Sequence, residues 1–93
     1  MNEPITSSSG NVFADLGFPS EEVALLTMRA QLMSHLRETI RAHEWTQTEA
    51  AKHLGIGQPH VSDLMRGKWD KFSLDMLITL VCRVGMRVAI AVA

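Results

Sequence analysis

Hydrogen-bonding and ionisable side chains are concentrated in the segment "QPHVSD", from Gln58 to Asp63. An imidazole, a hydroxyl and a carboxylate are the groups of a hydrolytic triad, in which a base activates a nucleophile. On a helix, however, residues two apart point about 200° apart, so His60 and Ser62 cannot hydrogen-bond to each other. We therefore predict no catalytic residues and no enzymatic activity.

Metal binding is the second chemistry that these residue types could support. The candidate ligands are His35, His43, His53, His60 and Cys82. The histidines show neither a His-x3-His spacing nor a pairing with cysteine, and metal sites depend on such spacings. Cys82 is the single cysteine and falls in an apolar stripe, so it can form no intrachain disulfide. The sequence predicts no metal site and no cofactor.

The polar residues of the same segment would share one face of a helix. That face remains exposed once the apolar residues Val61, Leu64 and Met65 are buried, and it consists of Gln58, His60, Ser62 and Asp63. Gln58 lies at the N-terminal end, where its amide can both donate to and accept from an adenine edge. Such a pair discriminates between bases by about 1–3 kcal/mol. This pattern favours a helix that is presented to a DNA groove.

Two short helices must position that face. Thr46, with Glu49 three residues later, forms a capping box that opens the first helix. Gly55 can adopt the positive φ that ends this helix, and Gly57 can cap the next one. The segment 46–66 therefore predicts a helix-turn-helix, whose second helix can enter a major groove.

Apolar residues are predicted to fill the angle between these two helices. They are Ala50, Leu54, Ile56, Val61 and Leu64. Where the helices cross closely a small side chain is needed, and Ala51 provides it.

Phosphate contacts are predicted on both sides of the second helix. Gln47 and Thr48 open the preceding helix with free backbone N–H groups, which suit an anion. The remaining candidates for the DNA backbone are His60, Arg66, Lys68 and Lys71.

Two longer helices are predicted to support the pair. The first starts after a cap at Ser20 and runs to about His43, with an apolar stripe of Leu25, Met28, Leu32, Leu36 and Ile40. The last runs from Leu74 to Val84 between the cap Ser73 and Gly85. Its stripe consists of Leu74, Leu77, Ile78, Val81 and Cys82. Trp45 and Trp69 are predicted to be packing anchors, with contact along a DNA backbone as the alternative for Trp69, which lies beside Lys68 and Lys71.

The final residues alternate with a period of two. In "MRVAIAVA", Met86, Val88, Ile90 and Val92 alternate with smaller or charged residues, which predicts a strand over 86–92. A lone strand leaves unpaired backbone groups and an apolar edge. The simplest partner, since it needs no other protein, is the same strand of a second copy, and this pairing gives a homodimer. The alternatives are pairing with residues 11–13 of the same chain, or strand addition to a partner's sheet.

Composition indicates one globular domain of 93 residues, 46% of them hydrophobic. Residues 1–10 are polar and Ser-rich, which predicts a flexible tail before a single domain at 11–93. The start lacks the features of a signal peptide, and no apolar stretch is long enough for a membrane span. We expect a cytoplasmic protein without a membrane partner.

Net charge is −1, which is low for a DNA-binding domain. The charges are unevenly divided, however. Residues 1–43 hold five acids and three bases, whereas residues 44–93 hold five acids and six bases. Since phosphate binding depends on the local face, the total does not exclude it.

The helix-turn-helix segment also resembles a known family. "TQTEAAKHLGIGQPHVSDLMRGK", followed by "FSLDMLITLVCRVGMRV", is similar to the Xre (Cro-like) helix-turn-helix regulators. It is particularly similar to the small antitoxins of the host-inhibition-of-growth type, which accompany ribosome-dependent RNase toxins. With the lead-in "NVFADLGFP", the resemblance covers roughly residues 11–92.

This resemblance implies an all-α, lambda-repressor-like domain of four main helices with a short C-terminal β-strand for dimerisation. It implies a sequence-specific repressor that binds double-stranded DNA at a palindromic operator and serves as the antitoxin of a toxin–antitoxin operon, with a cognate toxin as partner. A dimer would present its recognition helices about one DNA turn apart, ~34 Å.

Individual residues acquire roles by the same resemblance. Gln47 would be the phosphate-contacting glutamine at the start of the motif. The groove-facing positions would be Gln58, Pro59, Ser62 and Asp63, with Gln58 as the direct base reader. Pro59 can offer only apolar contact, for example to a thymine methyl group, and Gly57 stands where many relatives have Ser or Thr.

A second class of function is compatible with the sequence. The chain could be a protein-interaction module that neutralises a partner toxin without reading DNA. The acidic first half and the apolar segment 11–18 favour this alternative.

Overall fold

The computed structural model of the chain describes residues 16–89, and these form an all-α arrangement of four helices. The helices are α1 (Ser20–Ala42), α2 (Gln47–Leu54), α3 (Gln58–Met65) and α4 (Leu74–Arg83), and a 3-10 turn spans Trp69–Lys71. The predicted tail at 1–10, the segment 11–15, and Ile90 and Val92 lie outside the described residues.

Helix α1 begins one residue earlier than predicted. Pro19 occupies the N-cap position, and its carbonyl accepts the first helical hydrogen bond, from the N–H of Val23 at 2.9 Å. Ser20 therefore lies inside the helix, and its hydroxyl lies 3.5 Å from Glu21 Oε1 instead of capping. The predicted Ser20 cap is wrong because Pro19, with a non-helical ψ of 152°, takes the N-cap position and Ser20 becomes the first helical residue.

The buried stripe of α1 also differs in part from the predicted one. The fully buried residues are Leu26, Met33, Leu36 and Ile40. Leu36 and Ile40 were predicted, but Leu25 is 43% exposed and Leu32 packs only at the edge of the core. Two adjacent stripes of α1 share helical spacing, and the contacts with the other helices select between them.

Helix α4 begins as predicted. The hydroxyl of Ser73 accepts a hydrogen bond from the N–H of Met76 at 3.1 Å, and Gly85 has a φ of +84° just after the helix. Leu77, Leu80 and Val81 are buried, whereas Cys82 is exposed. The predicted core position of Cys82 is therefore wrong, because the face of α4 that meets α1 is centred on its neighbours.

The predicted C-terminal strand is not found over its described part. Residues 86–89 have no regular secondary structure. A strand requires a neighbouring strand, and the described part of the chain contains none. The predicted alternation is nevertheless visible, since Met86 and Val88 are half-buried against the core while Arg87 and Ala89 are exposed.

One core joins all four helices. Helix α1 packs against α4 and the 3-10 turn, α2 packs against α3, and both α2–α4 and α1–α3 contacts close the arrangement. The fully buried side chains at the centre include Leu36, Leu54, Leu64, Phe72 and Leu77. Leu54 and Leu64 come from the ends of α2 and α3, so the helix-turn-helix is anchored in the core at both of its helices.

Two arginines from the supporting helices bind the C-terminal ends of α2 and α3. Nη1 of Arg83, in the last turn of α4, donates to the carbonyl of Leu54 at 2.8 Å. Nη1 of Arg37, on α1, lies 3.4 Å from the carbonyl of Leu64. A cation is favourable at a helix C-terminus, where carbonyl groups lack partners. Each helix of the pair is therefore held by its own arginine.

The turn between α2 and α3 depends on Gly55, which has a φ of +71°. A Cβ at this position would lie 2.9 Å from Nη1 of Arg83. Gly85 has a similar φ of +84°, but a Cβ there would meet nothing within 4 Å. Alanine substitutions at the two glycines therefore distinguish the cost of backbone strain, which both share, from the cost of displacing Arg83, which only Gly55 has.

We predict that Gly55→Ala destabilises the protein more than Gly85→Ala. Both substitutions incur the left-handed strain of about 1–2 kcal/mol, and Gly55→Ala also displaces Arg83 from the Leu54 carbonyl, which adds about 1.5 kcal/mol. Urea unfolding of the two variants measures the difference. Equal losses would show that the Arg83 hydrogen bond contributes nothing.

Candidate nucleic-acid interface

The start of α2 is fixed by the predicted capping box, which the structure confirms. The N–H of Thr46 donates to Glu49 Oε1 at 2.8 Å, and the N–H of Glu49 donates to Thr46 Oγ1 at 3.1 Å. Within the described residues, the N–H groups of Gln47 and Thr48 have no backbone acceptor. This end of α2 therefore offers free donors beside the positive end of the helix dipole.

Gly55 ends α2 as predicted, and Gly57 is the N-cap of α3 with Pro59 in its first turn. The N–H groups of Gly55 and Ile56 both donate to the carbonyl of Ala51, at 2.8 and 3.1 Å. The predicted apolar contact is confirmed, since Ala50, Leu54, Val61 and Leu64 are fully buried and Ile56 packs against them. Ala50 is the fully buried alanine of α2, whereas Ala51 is half-buried.

The N-terminal ends of α2 and α3 lie side by side. Nε2 of Gln58, the first residue of α3, donates to Oγ1 of Thr48 at 2.6 Å. Both residues are exposed, so this contact is open to a ligand. The structure thus brings together a predicted base reader and a predicted backbone contact that are ten residues apart in sequence.

The predicted groove-facing residues differ in their exposure. Gln58, Pro59 and His60 are exposed, whereas Ser62 and Asp63 are half-buried. The ring of His60 also meets the buried ring of Phe72 edge-on, with centroids 6.1 Å apart. The N-terminal part of α3 is therefore its most accessible part, and Gln58 lies at its tip.

The predicted phosphate ligands flank α3 at its two ends. Gln47 and Thr48 are exposed beside its N-terminus, and Arg66, Lys68 and Lys71 are exposed beyond its C-terminus. An eight-residue helix is about 12 Å long, at 1.5 Å per residue, and the major groove is also about 12 Å wide. The two groups of donors therefore lie beyond opposite ends of a helix that is about as long as the groove is wide.

The segment that carries this surface has a small positive balance of charge, although the whole chain does not. Between residues 46 and 72 the sequence has four bases and three acids, a balance of 4 − 3 = +1. One of those acids, Glu49, is bound in the capping box. Asp63 is half-buried, and its backbone carbonyl accepts from the N–H of Lys68 at 3.0 Å.

A stack of three rings joins the end of α1 to α2. The Trp45 ring lies between His43 and His53, at centroid distances of 4.4 and 4.0 Å and interplanar angles of 20° and 11°. Trp45 also packs against the core, as predicted for an anchor. Glu44, between His43 and Trp45, has a φ of +56°. The sequence does not reveal this stack, because neither histidine lies in the same helix as the tryptophan.

Arg37 and Arg83 were also missed as supports of this surface. Their positions in α1 and α4 resemble ordinary exposed helical residues. The C-terminal carbonyls that they bind belong to segments 27 and 29 residues away in sequence. No short-range pattern reveals such contacts.

Among the described residues, no three His, Cys, Asp or Glu side chains are close enough together to bind a metal ion. In that same range no helix is long and apolar enough to cross a membrane.

Comparison with known proteins supports the architecture. The model of a helix-turn-helix domain family matches residues 12–93 of this chain. The chain therefore belongs to this helix-turn-helix domain family. No curated protein matches the sequence. Membership of the family, together with an exposed α3, indicates a DNA-binding regulator.

We predict that Thr46→Val lowers the free energy of unfolding by about 1 kcal/mol, because it removes the side-chain cap of α2. Thr48→Val is the matched control. The Thr48 hydroxyl is no cap and accepts only from the exposed Gln58 amide, where water can replace it, so the same substitution two residues later should change stability by less than about 0.5 kcal/mol. Urea unfolding compares the two, and similar losses would contradict a specific role for the cap.

Proposed function

We propose that this protein is a sequence-specific DNA-binding repressor that acts by occupying its operator and not by catalysis. Helix α3 would enter the major groove with Gln58 against a base. Gln47 and the N-terminal end of α2 would bind one phosphate strand, and Arg66, Lys68 and Lys71 the other. The observation that carries this proposal is the exposure of Gln58 between two groups of phosphate donors.

The rigidity of the surface supports the same function. A base-reading helix discriminates between sequences only if its position is fixed to within fractions of an ångström. Leu54 and Leu64 anchor α2 and α3 in the core, and Arg83 and Arg37 bind their C-terminal carbonyls. The core and the two arginines therefore hold the polar N-terminal end of α3 in a fixed position.

We further propose that the protein acts as a homodimer joined through residues 86–92. The side chains at this interface would be Met86, Val88, Ile90 and Val92. Met86 and Val88 lie in one wall of a groove of about 250 Å³, and Met28 and Leu32 of α1 lie in the other. The backbone N–H groups of residues 87–89 have no backbone acceptor among the described residues. A second strand would supply acceptors and cover the groove, and the dimer would suit a palindromic site.

The exposed apolar residues favour a protein partner in addition to DNA. Three of the four large exposed apolar side chains in the described range occur near the start of α1: Leu16, Phe18 and Leu25. Glu21 and Glu22 occur in the same stretch. We propose that this acidic, apolar segment binds a basic partner such as a cognate toxin, which would make the protein an antitoxin in the cytoplasm. If DNA binding fails, neutralisation of such a partner is the remaining function.

We predict that Gln58→Ala lowers affinity for the operator by about tenfold, since one base contact contributes about 1–3 kcal/mol. Binding to unrelated DNA in low salt should be unchanged, because phosphate contacts supply it. Mobility-shift titrations on the DNA upstream of the gene and on a scrambled duplex measure both. Thr79→Ala, at an exposed position of α4, is the control. Equal losses on the two duplexes would refute base reading by Gln58. Absence of any preference in the wild type would refute the function itself.

We predict that Ile90→Asp converts the dimer to a monomer, because a carboxylate would be buried in the strand interface. Ala91→Asp, on the opposite face of the predicted strand, should leave the dimer intact. Sedimentation equilibrium measures the masses, and operator affinity should fall with dimer loss. A monomeric wild type, or dissociation caused equally by both variants, would contradict the proposed interface.

A further inference from the structure

The groove between α1 and residues 86–89 has the composition of a small-molecule site. We propose that it binds an amphipathic monocarboxylate, a molecule with one carboxylate and a short apolar body, and that this ligand competes with dimerisation. Binding of the ligand is independent of the proposed function. Its effect on the dimer rests on the proposed homodimer.

The bottom and the walls of the groove are apolar. Val81 lines the groove although it is only 1% exposed, so it lies at the bottom. Met28 and Leu32 lie in one wall, and Met86 and Val88 lie in the other. Methionine side chains are flexible and adapt to the shape of a neighbour. These side chains therefore suit the apolar body of a ligand.

The size of the groove limits what it can hold. Its volume is about 250 Å³, whereas drug-sized ligands occupy pockets of about 300–1,000 Å³. An aliphatic cavity of about 150 Å³ holds benzene, so this groove holds a molecule of about ten non-hydrogen atoms. Octanoate has this size.

The polar side chains of the groove favour an anion. They are Gln31, His35 and Arg87, and no acidic residue is found among the described residues of the lining. His35 and Arg87 are exposed, so they lie at the rim above the apolar walls. A guanidinium binds a carboxylate through two parallel hydrogen bonds, and an amide or imidazole N–H can add another donor. The charged end of the ligand is therefore expected at the rim.

Backbone groups of the same wall supply further donors. The N–H of Met86 donates to the carbonyl of Val81 at 3.2 Å, whereas the N–H groups of residues 87–89 have no backbone acceptor among the described residues. A carboxylate has only acceptors and can bind several donors at once. An ammonium group has only donors and would be repelled by Arg87. Size, apolar lining and donors together select a small monocarboxylate.

The ligand and a second copy of the chain would use the same groups. In the proposed homodimer, a second strand pairs with residues 86–92 and covers Met86 and Val88. A carboxylate ligand occupies the same side chains and the same N–H donors. Since the groove cannot hold both, the ligand binds the separated protomers and shifts the equilibrium toward them by mass action. Loss of the dimer lowers operator affinity, so the ligand acts as an inducer.

The test uses the full-length protein with sodium octanoate, octanol and sodium acetate as probes. Octanol keeps the apolar body without the charge, and acetate keeps the charge without the body. Isothermal titration calorimetry measures the affinity of each probe for the wild type, Arg87→Gln and Arg41→Gln. Arg41 is exposed on α1 and does not line the groove, so Arg41→Gln is the matched control for the loss of one charge.

We expect octanoate to bind the wild type at least about tenfold more tightly than octanol, because hydrogen bonds to a charged group contribute this much. Acetate should not bind measurably, because it has no apolar body to bury. Arg87→Gln should weaken octanoate binding by about tenfold and leave octanol binding unchanged. Arg41→Gln should change neither.

Sedimentation equilibrium measures the effect on the dimer. At a free octanoate concentration of about nine times its dissociation constant, the dissociation constant of the dimer should rise about 100-fold, because each of the two protomers contributes a factor of about ten. Sodium acetate at the same ionic strength should leave it unchanged.

Separate results would overturn the separate parts of this proposal. Absence of octanoate binding, equal affinities for octanoate and octanol, or equal losses in Arg87→Gln and Arg41→Gln would refute the carboxylate site. Octanoate binding that leaves the dimer dissociation constant unchanged would refute the competition. A wild type that is monomeric without octanoate would refute the proposed homodimer instead, and the calorimetric comparison would still decide the ligand site.

Discussion

The left-handed turn at Gly55 is the constraint on which the rest of the structure depends. Its φ of +71° ends α2 and turns the chain so that α3 can begin at Gln58. The guanidinium of Arg83 occupies the space where a Cβ would be and binds the Leu54 carbonyl at 2.8 Å. The lack of a side chain at Gly55 therefore has two effects. It relieves backbone strain, and it leaves room for the guanidinium of Arg83, which holds the turn.

The same principle is repeated at the end of α3. Arg37 reaches from α1 to the Leu64 carbonyl, close to Gly67, which also has a positive φ of +73°. Helix C-termini carry partial negative charge and unpaired carbonyls. Both supporting helices thus use an arginine to bind one helix of the pair. The C-terminal ends are tied to the body, and the N-terminal ends of α2 and α3, with their free donors, face outward.

This orientation of α2 and α3 explains how a chain with a net charge of −1 can still present a surface suited to DNA. Attraction for phosphate need not come from side-chain charge alone, because helix N-termini supply N–H donors and a favourable dipole. At this surface the donors of Gln47 and Thr48 lie next to Gln58, and the cations lie beyond the other end of α3. The acidic and apolar residues near the start of α1 belong to another part of the sequence.

The amino-acid sequence by itself determined the features that depend on near neighbours. The capping box at Thr46, the Ser73 cap, and the turns at Gly55 and Gly85 arise from residues within a few positions of one another, so their patterns are visible in the chain. Tertiary structure alone decided which stripe of α1 is buried, where Cys82 lies, and that residues 86–89 have no regular secondary structure. It also decided the contacts of Arg37, Arg83 and Thr48 and the stack around Trp45. Each of these joins residues from different segments, and their meeting depends on how the helices pack, which no local periodicity encodes.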